Sequence, residues 1–343
     1  MTKTTTALPR GWKTPPLTSL VGLVLGLVLL LICLVYSVTL GAADIPLSKI
    51  LESFVTFDGS YEHLVIQSVR LPRSLIAMLV GSALAVAGAL MQGLTRNPLA
   101  DPGILGIESG AALAVVVTVF VLGSSSLSIL TIVAFLGAGA TAMLVYFLGS
   151  LGRGGATPLN LTVAGAALTA LIYSLTTAIL IVSQRTLEEI RFWLAGSLAG
   201  RDTNILLQAL PFVAIGLIVA FTLGRQITTM SLGEDVAKGL GQQTAWIKII
   251  TAISVVLLAG SSVSLAGPIG FIGLVVPHIV RFFIKADYRW ILPYSAIVGA
   301  ILVLVADIGA RVLVKPQELP VGVMTALFGA PFFVYLAKSK VKK

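Results

Sequence analysis

Residues 109–152 read SGAALAVVVTVFVLGSSSLSILTIVAFLGAGATAMLVYFLGSLG, 44 positions without one Asp, Glu, Lys or Arg. A helix needs roughly 20 apolar residues to cross a hydrocarbon core about 30 Å thick, so this run is too long for one crossing and long enough for two. Gly123-Ser124-Ser125-Ser126 in its middle supplies the turn between them. The bilayer is therefore the solvent, and the rest of the chain reads in that light.

Further charge-free runs occupy 14–43, 74–95, 154–184, 203–224, 249–280, 290–306 and 319–337. The run 249–280 is too short for two full spans, yet Gly267-Pro268 and Gly270 break it after Leu265. A short eighth helix then continues past Arg281, which brings the count to ten transmembrane helices in an all-α, polytopic chain forming one membrane domain over residues 1–343. Composition agrees: 57% of residues are hydrophobic and only 11% charged, which excludes an ordinary soluble protein.

Charge placement sets the orientation. Lys3, Arg10 and Lys13 lie in a polar tail, 1–16, and Lys338, Lys340, Lys342 and Lys343 follow the last run. Loops retained in the cytoplasm are enriched in Lys and Arg, so both termini are expected inside, which requires an even number of spans. Threading ten spans puts most of the 23 Lys and Arg on that side. The net charge of +9 is thus a topology signal and not the mark of a nucleic-acid partner. The first run reads as a retained anchor, and the lone Cys33 has no partner for a disulfide.

Much chemistry is missing. No Gly-Lys dipeptide occurs, so there is no phosphate cradle for ATP. Two histidines, His63 and His278, and one cysteine make no metal or haem cage, and Ser261, Ser262 and Ser264 have no neighbouring base. The one clear intramembrane carboxylate is Asp307; Arg311 stands four residues on, so the two share a helical face and neutralise each other. Many of the 34 glycines fall inside spans, where small residues let helices approach closely.

Two stretches stand outside the spans. Asp44-Ile45-Pro46-Leu47 followed by Ile50, Leu51 and Phe54 predicts a short surface helix. On the inner side, region 230–241 places Leu232, Val236 and Leu240 at i, i+4 and i+8, with Glu234 and Lys238 four apart, which predicts one amphipathic helix ending at Gly239 or Gly241. It carries both charge signs and no basic rim, so it fits a protein partner better than a lipid surface.

Six segments resemble the FecCD family, the permease subunits of iron-siderophore, haem and cobalamin ABC importers. They are SVRLPRSL (68–75), GALMQGLTRNPLADPGILGIESGA (88–111), SLGEDVAKGLG (231–241), GPIGFIGLVVPHIVR (267–281), ADIGAR (306–311) and ELPVGVMTALFGAPFF (318–333). The resemblance implies the cobalamin/siderophore importer permease fold and a second permease subunit, either a copy or a close paralogue. It also implies two cytoplasmic ABC ATPase subunits that carry ATP and Mg, no cofactor on this chain, and a periplasmic or lipid-anchored substrate-binding protein at a cytoplasmic (inner) membrane. It further implies ATPase coupling through Leu232, Gly233, Glu234, Ala237, Leu240 and Gly241, a cytoplasmic gate at Asn97, Pro98, Leu99 and Thr157, and docking of the binding protein on Arg70, Arg73 and Arg311. These three arginines fall at outer span ends on the derived topology. A ferric siderophore is the expected substrate, with haem or cobalamin behind it and a self-sufficient secondary carrier as the rival class.

Overall fold

The computed structural model describes residues 17–41, 45–151, 157–284 and 286–341, and among them every regular element is helical. The tail 1–16, Asp44, Arg153, Lys285, Lys342 and Lys343 lie outside the described residues. The chain opens with α1 (Leu17–Thr39), followed by the surface helix α2 (Leu47–Val55) and by α3 (Tyr61–Val65). Through one π-helical turn, Ile66–Arg70, α3 continues into α4 (Leu71–Thr95). Then come α5 (Ile107–Leu122), α6 (Leu127–Ser150), α7 (Pro158–Val182), α8 (Gln184–Leu194) and α9 (Thr203–Thr222). Two short helices, α10 (Gly224–Ser231) and α11 (Glu234–Gly239), precede α12 (Thr244–Ala266), α13 (Ile272–Phe283), α14 (Tyr288–Val312) and α15 (Val321–Val341).

Among the described residues, seven helices are long and apolar enough to cross a membrane: α1, the continuous Tyr61–Thr95, α6, α7, α9, α12 and α14. Three shorter apolar helices, α5, α13 and the Val321–Val334 part of α15, bring the number to the ten expected. Because ten is even, α1 begins and α15 finishes at one end of the bundle, here the near end; the other is the far end. Polar residues at the helix starts act as caps. Ser126 accepts from the Ile129 amide at the start of α6, Thr157 from Asn160 at α7, and Asp202 from Ile205 at α9. Gly123, at φ 83°, ends α5.

The second span departs from expectation. Its charge-free run starts at residue 74, but the helix starts thirteen residues earlier, at Tyr61. Arg70 and Arg73 were read as a boundary because charges are costly in lipid; inside the bundle they have partners, so the helix runs through them.

α4 is the hub of the packing. Its contacts with α14 and α13 are backbone against backbone: a Cβ on Gly81 would lie 2.2 Å from the Gly299 carbonyl oxygen, and one on Gly88 2.1 Å from that of Gly273. Glycine pairs of this kind replace the hydrophobic drive that lipid does not supply between helices. By contrast α1 and α7 turn most of their apolar side chains outward, including Leu25, Leu29, Leu159 and Tyr173.

The break in 249–280 is present at Gly267–Phe271. The freed backbone groups find partners in the loop after α8, where the Ser197 amide donates to the Ala266 carbonyl at 2.7 Å. A Cβ on Gly267 would lie 2.1 Å from the Trp193 carbonyl oxygen, so that loop is pressed against the break. Irregular backbone at membrane depth is tolerated where protein covers it in this way.

Candidate functional site: coupling hairpin, inner loop and outer charge cluster

At the near end, the expected amphipathic helix is two helices with a bend. Gly233 adopts φ 133° and ψ 144°, so Leu232 closes α10 and α11 begins afresh at Glu234. Leu232, Val236 and Leu240 therefore do not form a stripe on one helix. They remain exposed, Leu232 and Leu240 at 68% each, while Ala237 is fully buried. The hairpin is fixed to the bundle from two sides. Glu234 takes Lys248 at 2.8 Å and Lys238 at 3.2 Å, and Thr244 donates to it at 3.3 Å. Ile227 of α10 fills the space left by Gly93 of α4, where a Cβ would lie 2.4 Å from the Ile227 side chain.

The Lys248 ammonium, with help from Lys238, holds the Glu234 carboxyl down to about 2. A depressed carboxylate contributes its tether above the ordinary glutamate value of about 4.3 and loses it as pH falls through the folded value. Hydrogen exchange of residues 231–243 should be constant from pH 9 to 5, once corrected for intrinsic rates, and accelerate only below about 4. Glu234→Gln should speed it roughly two- to five-fold at neutral pH, in keeping with partly exposed pairs worth about 0.2–1 kcal/mol. Equal protection in both proteins would remove the tether.

Beside the hairpin, α4 ends at Arg96 in the left-handed region (φ 53°), and the loop that follows carries Asn97, Pro98 and Leu99. The Asn97 side chain accepts from the Leu99 amide at 2.9 Å, an Asx turn that turns the chain away from the helix. Asn97 and Leu99 are exposed. Hairpin and loop are neighbours, since a Cβ on Gly233 would lie 3.8 Å from the Arg96 guanidinium. Thr157 caps α7 at the same end, and Thr95 and Pro158 line a common cavity of about 30 Å³. No hydrogen bond joins Thr157 to residues 97–99 among the described residues.

After this loop the chain dips into the bundle. Asp101 and Glu108 line one small cavity with Gly267, Ile269 and Gly273 of the broken span. Asp307 is therefore not the one carboxylate inside the bundle; Glu108 immediately precedes a charge-free run and Asp101 lies between two of them, so neither falls within a run counted as a span.

At the far end, Arg70, Arg73 and Arg311 come together, but inward. Arg73 holds Asp307 at 2.9 Å and Glu318 at 2.6 Å. Arg311 holds the other Asp307 oxygen at 3.0 Å, and also donates to the Ser37 and Leu40 carbonyls at 2.9 and 2.7 Å. Arg70 donates to the Val38 and Thr39 carbonyls at 3.0 and 2.7 Å. The last turn of α1 is thus closed by two guanidiniums, the charge sign a helix C-terminus favours. The Asp307–Arg311 pair expected from spacing is present, with Arg73 as a third member. All three arginines are buried, so their docking surface is not a free one.

The histidines are occupied locally. His63 is buried against Asp58 at 2.7 Å, and the His278 ring lies 3.0 Å from the Leu274 carbonyl oxygen one turn back.

Comparison with known proteins adds the following. The model of the FecCD transport family matches residues 29–339. The "Probable siderophore transport system permease protein YfiZ" of Bacillus subtilis is 49% identical over 322 residues, 92% of this chain and 97% of that protein. The "Iron(3+)-hydroxamate import system permease protein FhuB" of the same organism is 45% identical, over 95% of this chain and 85% of that protein. A solved structure assigned to the metal-chelate type of ABC transporter, in an inward-facing conformation, superposes with a TM-score of 0.82 at 33% identity, covering 94% of this chain and all of that one.

Proposed function

The chain belongs to the FecCD transport family, and we propose that it is the membrane-spanning permease of a binding-protein-dependent ABC importer that carries a ferric siderophore. It is a transport component, and ATP with Mg is bound and hydrolysed on separate ATPase subunits. The near end is the cytoplasmic end, so both termini lie inside, and a second permease subunit completes the pathway at the cytoplasmic membrane.

One observation carries the reading: the hairpin of α10 and α11 exposes Leu232 and Leu240 while bearing directly on the end of α4. Apolar side chains exposed beyond the spans, on a segment tethered by ion pairs, suit insertion into a partner's groove. A push on the hairpin passes through Ile227 and Gly93 to α4 and its following loop, where Asn97, Pro98 and Leu99 form the gate with Thr157 at α7. Packed helices shift between discrete arrangements, so nucleotide binding on the ATPase tilts the near end between open and closed states. Arg73, Arg311 and Arg70 stiffen the far end, where the binding protein docks.

The test is uptake of ⁵⁵Fe by the complete transporter in proteoliposomes, with its ATPase and loaded binding protein. Uptake of ferric siderophore that requires ATP and both partners is the expected result. Uptake of haem or cobalamin instead would change the substrate, and uptake driven by a proton gradient without the ATPase would overturn the importer reading.

A further inference from the structure

Arg201 is a fourth buried arginine, and its surroundings differ from those of Arg70, Arg73 and Arg311. It lies in the far-end loop between α8 and α9 and is only 5% exposed. It makes no ion pair or hydrogen bond with any described residue, and its Nε is buried without a partner. Burial alone pushes its pKa down to about 10, so it stays protonated at neutral pH. A buried cation without a counter-charge is costly, and native structures rarely leave one so.

The guanidinium lines an open cavity of about 320 Å³, walled mostly by apolar side chains such as Leu127, Leu130, Trp193 and Leu319, with Ser197 beside it. Two carboxylates lie on the same wall. Glu318 is engaged by Arg73 at 2.6 Å, and Glu189 is solvent-exposed and unpaired with Arg201. The loop holding Arg201 is pressed on the Gly267 break and bonded to the start of α15, where the Gly322 amide donates to the Gly196 carbonyl at 3.0 Å. The cavity therefore sits on rigid walls, at the low end of the size of small-molecule sites.

We propose that this cavity is a carboxylate-binding site for the transported chelate, and that the permease accordingly carries anionic, carboxylate-bearing ferric chelates. A planar guanidinium takes a carboxylate bidentately and, in an apolar cavity, at full strength. The cavity admits one acidic arm and not a whole metal complex, so Arg201 selects for charge while the bulk of the chelate stays outside it. The inference rests on the importer reading above.

The experiment compares the wild-type transporter with Arg201→Gln, Arg201→Lys and Glu189→Gln, using ⁵⁵Fe-citrate and a neutral ferric trihydroxamate as probes. Citrate alone is also titrated onto the isolated permease by fluorescence of Trp193, with Trp193→Phe as the blank. Arg201→Gln should lower ferric citrate uptake at least tenfold and abolish the citrate titration, with trihydroxamate uptake and binding-protein affinity unchanged. Arg201→Lys should fall between, Glu189→Gln should not reduce citrate uptake, and thermal stability of Arg201→Gln should be equal or higher, since a buried unpaired charge is gone. Loss of both probes together with binding-protein affinity would show that the cavity takes a protein carboxylate and overturn the proposal. So would a Glu189→Gln defect matching that of Arg201→Gln, a misfolded Arg201→Gln, or no effect of any variant. Wild-type transport of the trihydroxamate but not of citrate would overturn the inference and leave the importer intact; transport of neither by ATP would remove the importer reading itself.

Discussion

Leu240→Asp is expected to leave a folded permease that no longer holds its ATPase. Leu240 is 68% exposed at the end of α11, so the monomer loses little when it changes. In a complex the same leucine sits in a dry groove, and an aspartate there must either keep its water or be buried unpaired. Buried apolar anchors at the centre of an interface commonly cost about 2 kcal/mol or more when removed, and a buried charge adds to that, so co-purification should drop at least 30-fold. Leu232→Asp should act in the same direction, and the double variant should show less than the sum because the two share one groove. Asp235→Asn, also exposed on α11, is the control and should change binding less than threefold. Pull-down of the ATPase and its stimulation by loaded binding protein measure both effects. Normal values in both leucine variants would send the hairpin to the lipid surface instead.

The sequence carried the crossings better than the sites. Gly123 to Ser126, Gly267-Pro268 and the caps at Thr157 and Asp202 mark helix ends by local backbone chemistry, which is legible without tertiary information. Four things were not. Gly233 splits α10 from α11 at φ 133°, yet i, i+4 spacing across a glycine looks the same whether the helix continues or bends. The charges at Arg70 and Arg73 end the apolar run, but charge marks a membrane boundary only when it is unpaired, and partners 31 positions from Arg70 and 234 from Arg73 are invisible in a window. Arg201 gave no signal, being one basic residue in a loop; what distinguishes it is the partner it lacks. Asp101 and Glu108 lie inside the bundle because the chain re-enters after α4, which length and hydropathy do not encode.

Asp307→Ala should be the most damaging single change at the far end, because one carboxylate serves two cations. Asp307 is fully buried, and its oxygens face Arg73 at 2.9 Å and Arg311 at 3.0 Å. Removing it leaves two buried guanidiniums close together. Arg73 keeps Glu318, which is partly exposed, while Arg311 keeps only neutral oxygens from the end of α1. Breaking a buried pair on one side costs about 3–5 kcal/mol, much more than the pair itself contributes over an apolar replacement. Detergent-solubilised Asp307→Ala should lose stability on that scale, and Asp307→Asn should lose less because the amide oxygen still accepts. Glu318→Gln should cost about 1 kcal/mol or less, since water reaches that carboxylate. Joint replacement of Arg73, Asp307 and Arg311 by Met, Leu and Met should recover most of the stability, as apolar substitutes for buried ion triads can. That variant also separates two roles. If the arginines act only by bracing α1, α4 and α14, the restored protein should bind its binding protein with wild-type affinity; if they also present charge to it, affinity stays low after the fold has returned. Unchanged thermal stability in Asp307→Ala would mean that the three groups do not act as one buried network at all.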